Sequence, residues 1–519
     1  MTKTAIFLSF LLLLFGHANS ESQLNDKEQT VLLKLKQHWQ NPPSLSHVNS
    51  LNSCHHFPPF ICDLKNLTVI DLSYNFISQE FPKALYNCSK LEELDPSQNY
   101  FNGTIPVDIH RLSHLHRLNL GANSFYGNIP SSIGQLTELR TLQLFQCAFN
   151  GSFPREIGNL FKLESLWLAY KVNMTAAELP SSFTKLKKLK FLWIAASNLN
   201  GEIPDTIGEM EALVHLDLSI NNLTGKIPSS LFIPKNLSIV YLFRNRLSGE
   251  IPRVVEALNI DVIDLSDNKL AGSIPDDFGR LRNMTGTLPP DFGRYSTLVE
   301  FQVADNKLEG ELPEHLCDKG ELPQRVARNL SRLEINNNFS GTIPAGVSSW
   351  RNLVVFEASN NLFTGTIPRE LTSLPNLTTL FLDQNRLSGS LPPDIISWKT
   401  LNALNLHRNK ISGPIPEKLG NLAGLTELDL SENQLSGQIL LQLGLLKLTL
   451  LNLSSNHLTG RIPTQFENDA YASSFLDNLA LCSNKPSLNI NSCNNSDHLF
   501  HKFRRLTVKS AYDSNDFPS

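Results

Sequence analysis

What this 519-residue chain lacks narrows its possible roles before anything else does. No apolar run reaches the roughly 20 residues that a membrane-crossing helix needs. Charge of one sign is missing too: 45 Lys and Arg stand against 49 Asp and Glu, a formal net charge of -4, so nucleic acid is not an expected partner. Cysteine is sparse, and its odd total of 7 leaves at least one thiol unpaired. There is no glycine-rich phosphate loop, no His/Cys cluster at metal-ligand spacing and no kinase signature, so neither a cofactor nor enzyme activity is expected.

What is present is one sentence repeated. LNLSSNHLTGRIP at 451–463, LNLHRNKISGPIP at 404–416 and LDLSINNLTGKIP at 216–228 share the frame LxxLxLxxNxLxGxIP. Its Asn recurs, mostly 23 or 24 residues apart, at Asn75, Asn99, Asn123, Asn221, Asn245, Asn268, Asn306, Asn338, Asn361, Asn385, Asn409, Asn433 and Asn456. Cys147, Lys171 and Ser197 hold that place in three further copies, which makes sixteen readable copies. A period of this length and pattern is a leucine-rich repeat. The leucines that flank a single residue point inward from a short strand, and the residues between them point out. No copy can bury its leucines alone, so neighbours close the core between them. The expected fold is an α/β right-handed solenoid with short parallel strands on a concave face and 3-10 or loop segments on the convex face. Each anchor Asn is expected to turn its amide inward onto the backbone of its own and the adjoining copy.

The ends and the faults of the array give the domain plan. Residues 1–20 resemble a signal peptide: Lys3, an apolar run over 5–15, then Ala18 and Ser20 before the cleavage point. Residues 21–60 form an incomplete N-terminal capping region, with Val31, Leu32, Leu35 and Trp39 at helical spacing. The repeats occupy 61–466 and are irregular over 281–330, where 281–290 joins the start of one copy to the end of another and 317–329 is too short for a copy. Pro96 replaces a strand leucine and Leu440 stands where the frame has proline. A C-terminal cap over 467–493 and a disordered tail over 494–519 follow. Cys482 and Cys493 sit at cap-like spacing and are expected to pair, as suits an oxidising compartment. One further pair is expected among Cys54, Cys62 and Cys88, in any of three combinations. Cys147 is expected as a buried thiol and Cys317 has no evident partner.

Sequons suit a secreted glycoprotein, with sugar expected on Asn66, Asn87, Asn102, Asn150, Asn173, Asn222, Asn236, Asn283 and Asn376. Further sequons fall at Asn329, Asn338, Asn452 and Asn494. Asn338, as an anchor, is expected to be buried and unmodified.

Outward positions lie six, four and two residues before each anchor. They expose one cluster: Phe145, Trp167, Phe191 with Trp193, and Tyr241 with Phe243, separated by a polar strand carrying His215, Asp217 and Ser219. Neighbouring parallel strands lie about 4.8 Å apart, so these rings form a strip roughly 20 Å long. Large aromatics on an open face favour a binding surface, comprising Phe145, Trp167, Phe191, Trp193, His215, Asp217, Tyr241 and Phe243. His215, Asp217 and Ser219 are not expected to act as a hydrolytic triad, because residues two apart on a strand are about 6.5 Å apart.

The LTGxIP ending resembles the plant-specific repeat of leucine-rich-repeat receptor-like kinases, over roughly 21–493. ICDLKNLTVIDLS at 61, LYNCSKLE at 85, FPREIGNL at 153, LSGEIPRVVEALN at 247 and LSRLEINNN at 330 are most similar to the HAESA-like peptide-hormone receptors. That resemblance implies an extracellular recognition module at the cell surface or secreted, a small secreted peptide lying on the concave face, and a co-receptor kinase ectodomain as a second partner. Full-length relatives are single-pass plasma-membrane proteins; this chain carries neither membrane helix nor kinase. The resemblance also implies an Arg-x-Arg pair that holds the peptide carboxylate, whereas the nearest strand here offers Arg332 and Glu334. Two alternatives are a secreted inhibitor resembling polygalacturonase inhibitors and a truncated receptor without ligand.

Overall fold

The computed structural model describes residues 59–493 except 65, 172, 254–255, 258, 276–299, 311–329 and 396–397. The leader 1–20, the capping helix 26–39, Cys54, the segments 281–290 and 317–329 with Cys317, the sequons at Asn283, Asn329 and Asn494, and the tail 494–519 lie outside the described residues. The chain divides into two compact units, Met1–Asn268 and Lys269–Ser519.

In the first unit, three-residue strands from Val69–Asp71 through Ser165–Trp167, Phe191–Trp193, His215–Asp217 and Ile239–Tyr241 to Val262–Asp264 follow one another in sequence order as a parallel ladder. Register is constant: Leu166 lies beside Leu142 and Leu192, and Leu216 beside Val240. The central strand residue and the leucine two further on are buried, as at Leu166 and Leu168 or Leu216 and Leu218, while their neighbours face out. The second unit repeats this with strands from Glu300–Gln302 and Arg332–Glu334 to Leu450–Asn452.

Most described copies return to the next strand through a short helical turn, and among the described residues every helical segment is 3-10. The frame's proline starts these turns because its ring presets the backbone: Pro130, Pro204 and Pro416 have φ of -70, -60 and -63°. Leu440 reaches the same conformation without a ring, at φ -72 and ψ 138°, so the missing proline costs no geometry there.

The anchor amides join the copies. Asn221 Nδ2 donates to the carbonyls of Ile194, Leu218 and Ser219, and its Oδ1 accepts the backbone N–H groups of Ser197 and Leu199. One side chain thereby saturates polar backbone from two copies inside the core. The residue directly before the anchor adopts positive φ without being glycine, +55° at Ile220 before Asn221 and +57° at Tyr170 before Lys171. The substitutes imitate the donor half of this scheme. Cys147 Sγ, Lys171 Nζ and Ser197 Oγ donate to the carbonyls of Leu120, Leu144 and Leu168 in the preceding copy.

One anchor assignment is corrected. Asn337, not Asn338, belongs to the ladder: it is buried, donates to Val303 and accepts from Asn306 and Leu308. The copy turns one residue earlier, which seats Phe339 in the core and leaves Asn338 exposed. The ladder also runs a step past the last repeat, to Asn478, which accepts from Leu458 and donates to Leu453 and Phe475. Disulfides join Cys62 to Cys88 and Cys482 to Cys493, and Cys147 is a buried free thiol.

Candidate ligand-binding face

The outward aromatics of the first unit meet in two groups. Trp167 and Trp193 are register partners, and their rings pack edge to face with centroids 5.3 Å apart. Phe145 lies 5.9 Å from Trp167 and 6.1 Å from Trp193. Gly121 makes that position possible, since a Cβ there would meet the Phe145 ring at 2.3 Å. In the second group His215 lies between Phe191, at 6.2 Å, and Tyr241, at 5.8 Å, and Phe243 packs on Tyr241 at 6.2 Å. Stacked, tilted and edge-on pairs at these separations are favoured aromatic geometries. Apart from Phe191, which is exposed, these rings are half-buried, so they pack on one another and still present surface.

Asp217 links the two groups. The Trp193 indole N–H donates to its carboxylate, as do the hydroxyl and backbone N–H of Ser219, at 2.6 and 2.9 Å. Burial nevertheless pushes the Asp217 carboxyl up, with those donors opposing. Burial also pushes His215 down against the opposing charge of Asp217, which keeps the imidazole neutral at pH 7. The Ser219 hydroxyl donates its hydrogen bond to Asp217 rather than to His215, so the imidazole is not placed as its base.

The eight residues singled out from the sequence therefore occupy one continuous face. A ninth, Tyr170, was missed. It is 43% exposed and packs edge-on against Trp193 at 5.6 Å. Its position directly before the anchor aims it beside the strand face, and an aromatic at that turn position was the available signal.

In the second unit Arg332 pairs with Glu334, its neighbour on the same strand. Glu334 is in register with Glu357, whose carboxyl is pushed up by burial, with Arg332 opposing and Asp383 adding to the rise. Arg332 is thus already committed to local carboxylates. Among the expected sugar sites, Asn66, Asn87, Asn102, Asn150, Asn173, Asn236 and Asn376 are exposed, whereas Asn222 is half-buried and donates to Asn198 at 3.2 Å. Among the described residues no group of His, Cys, Asp or Glu could hold a metal ion, and no helix is long and apolar enough to cross a membrane.

The Leucine Rich Repeat family profile matches residues 66–88, 212–232, 259–281, 376–398, 400–422, 424–446 and 447–468. The chain is similar to the plant peptide hormone receptor RGFR1, solved in complex with RGF2, at 31% identity over 82% of this chain and 75% of that one, with a TM-score of 0.61. It is similar to a TDR receptor at 29% identity over 80% and 85% of the two chains, with a TM-score of 0.56. The Arabidopsis receptor kinase HAESA, solved with the peptide hormone IDA and the co-receptor SERK1, matches at 28% identity over 88% and 98%, with a TM-score of 0.39. No curated protein matches the chain.

Proposed function

We propose that this chain, which belongs to the plant leucine-rich-repeat receptor-kinase ectodomains, is an extracellular module that binds a small secreted peptide along the aromatic strip of its first unit. The observation that carries this reading is the continuous register Trp167, Trp193, Asp217, Tyr241, which sets rings, an imidazole and one half-buried carboxylate along adjacent strands. An extended peptide laid across the strands meets an apolar surface for its side chains, and Asp217 offers an acceptor to a backbone N–H. RGF2, bound by the related RGFR1, is the first peptide to try. Binding rather than catalysis is the role that this surface suits, and a co-receptor ectodomain is a second partner within the same proposal.

Among the described residues, the strand that the resemblance points to offers the peptide carboxylate Arg332, which is engaged by Glu334 in place of a second arginine. Large rings at an interface centre are often worth about 2 kcal/mol or more on truncation, against about 1.5–3 for a hydrogen bond to a charged group. Losing the clamp therefore weakens affinity by roughly one to two decades without abolishing it. Titration calorimetry of the folded protein with RGF2 and IDA peptides, each with a free and an amidated C-terminus, tests this. The expected result is measurable heat, little effect of amidation, and about tenfold or greater weakening on Tyr241→Ala. Absence of heat with every peptide on protein shown to be folded overturns the proposal.

A further inference from the structure

The copies that begin the first unit carry exposed aromatics outside the alternating strand positions: Tyr74, Phe76, Tyr100 and Tyr126 are 73, 63, 54 and 53% exposed, and the rings of Phe76 and Tyr100 lie 6.1 Å apart. Contiguous exposed rings usually await a cover. Here a candidate cover is encoded at the centre of the patch. Along Tyr100, Phe101, Asn102, Gly103 and Thr104 burial alternates strictly, with Tyr100, Asn102 and Thr104 outward and Phe101 and Gly103 inward. Gly103, at φ +78°, turns the chain immediately after Asn102. Ser124 and Tyr126 of the next copy donate to the carbonyls of Phe101 and Gly103, which brings Tyr126 alongside.

We propose that the oligosaccharide on Asn102 folds back onto Tyr100, so that the protein's own glycan covers this aromatic patch. In the modifying step the Asn102 side-chain nitrogen attacks the anomeric carbon of a lipid-diphosphate-linked oligosaccharide. A C–N bond forms, the lipid diphosphate leaves and the amide gives up one proton. The apolar C–H face of the first sugar then lies on the phenol ring two residues back, a span of about 6.5 Å along an extended backbone. The sugar shields the ring from water while its hydroxyls remain solvated.

The frame supplies an internal control. Asn150, also an exposed sequon, holds the same place in the copy of Cys147, but the residue two before it is Ala148. No ring stands two residues before it; Phe149 beside it is buried, and the exposed ring at this level is Tyr126 of the preceding copy, in register with Ala148.

The proposal rests on passage through a secretory compartment, as the reading of an extracellular module requires. The test is expression of the chain in secretory cells, glycopeptide mapping, and timed release of the sugars from the native protein by a peptide N-glycosidase. Release from Asn102 is expected to be about two- to tenfold slower than from Asn150, the range a single aromatic contact supports, and Tyr100→Ala is expected to abolish the difference. Tyr100→Ala should also lower the unfolding midpoint of the glycosylated protein more than that of an Asn102→Gln protein. Equal release rates, or an empty Asn102 beside occupied Asn66 and Asn150, overturn the proposal alone. Sugar at no sequon overturns the secretory reading together with it.

Discussion

Lys171 is the sharpest place to test how the ladder works. Its ammonium is fully buried, donates to the Leu144 carbonyl and lies 4.4 Å from the centre of the Phe149 ring. Burial lowers its pKa from 10.5 to about 8. Asparagine at this position would keep the donor, remove the charge and add an acceptor for backbone N–H groups, as Asn221 does for Ser197 and Leu199. The shift corresponds to about 3 kcal/mol of strain from keeping a charge in the core. Lys171→Asn relieves that and gains hydrogen bonds worth about 1 kcal/mol each. It forfeits a cation–π contact of up to about 2 kcal/mol. A net stabilisation of roughly 1–3 kcal/mol is expected at pH 7, read as a higher denaturant midpoint. The sign of the pH dependence follows from the shift. Between pH 8 and 10.5 the unfolded chain holds a proton that the folded one releases, so the wild type gains stability as pH rises through that window. The advantage of Lys171→Asn should accordingly be largest below pH 8 and shrink towards pH 10.5. Cys147 pulls the other way above pH 9, because burial pushes its thiol up, so both proteins are best compared in a Cys147→Ala background. A gap independent of pH, or a less stable Lys171→Asn at pH 7, refutes the reasoning.

Other outcomes follow from the same geometry. Asn337→Ala should cost about 2 kcal/mol or more by stranding the N–H groups of Asn306 and Leu308, whereas Asn338→Ala should lie within about 0.5 kcal/mol of wild type; denaturant midpoints compare the two. Asn338, exposed and followed by Phe339 and Ser340, should carry sugar in secreted protein, as glycopeptide mass spectrometry can establish. His215 has a folded pKa below its ordinary value, so its contribution to stability is complete above about pH 6.5 and declines as pH falls through the folded pKa; His215→Phe should flatten that part of the denaturation profile.

The fold was legible because its period, strand pattern and anchors all demand the same packing. Where legibility failed, the cause was local. Three asparagines run from Asn336 to Asn338, and counting along the frame selects the third. Phe339 carried the missing information: an apolar side chain belongs two residues after the anchor, and that places the anchor at Asn337. Asn478 escaped notice because the cap keeps the amide and its buried Phe475 while dropping the leucines that announce a copy. The strip residues were found by alternation alone, but their mutual packing was not, since it depends on Gly121 making room for Phe145. Tyr170 lies outside that alternation, at a turn position of positive φ.

The strip and the altered ladder coincide, and this governs how any binding measurement is to be understood. Phe145, Trp167 and Phe191 with Trp193 belong to the three copies whose anchors are Cys147, Lys171 and Ser197. Those anchors imitate the donor half of asparagine, while the acceptor half, which serves two N–H groups at Asn221, has no counterpart in an ammonium. In these copies the ring contacts among Phe145, Trp167 and Trp193, each worth about 0.5–1.5 kcal/mol, add cohesion on the outer face that amides supply inside elsewhere. Truncating Trp193 therefore loosens the stack along with removing the proposed peptide contact, and lost affinity in that variant does not by itself identify a contact residue. Tyr241 and Phe243 stand over an intact anchor, Asn245, which donates to Leu218, Leu242 and Phe243 and accepts from Leu223. Tyr241→Ala and Phe243→Ala should thus weaken peptide binding while leaving the denaturant midpoint nearly unchanged, whereas Trp193→Ala should lower both. If Tyr241→Ala destabilises the chain as much as Trp193→Ala, the rings hold copies together along the whole strip and the division of labour between amide ladder and aromatic face is wrong.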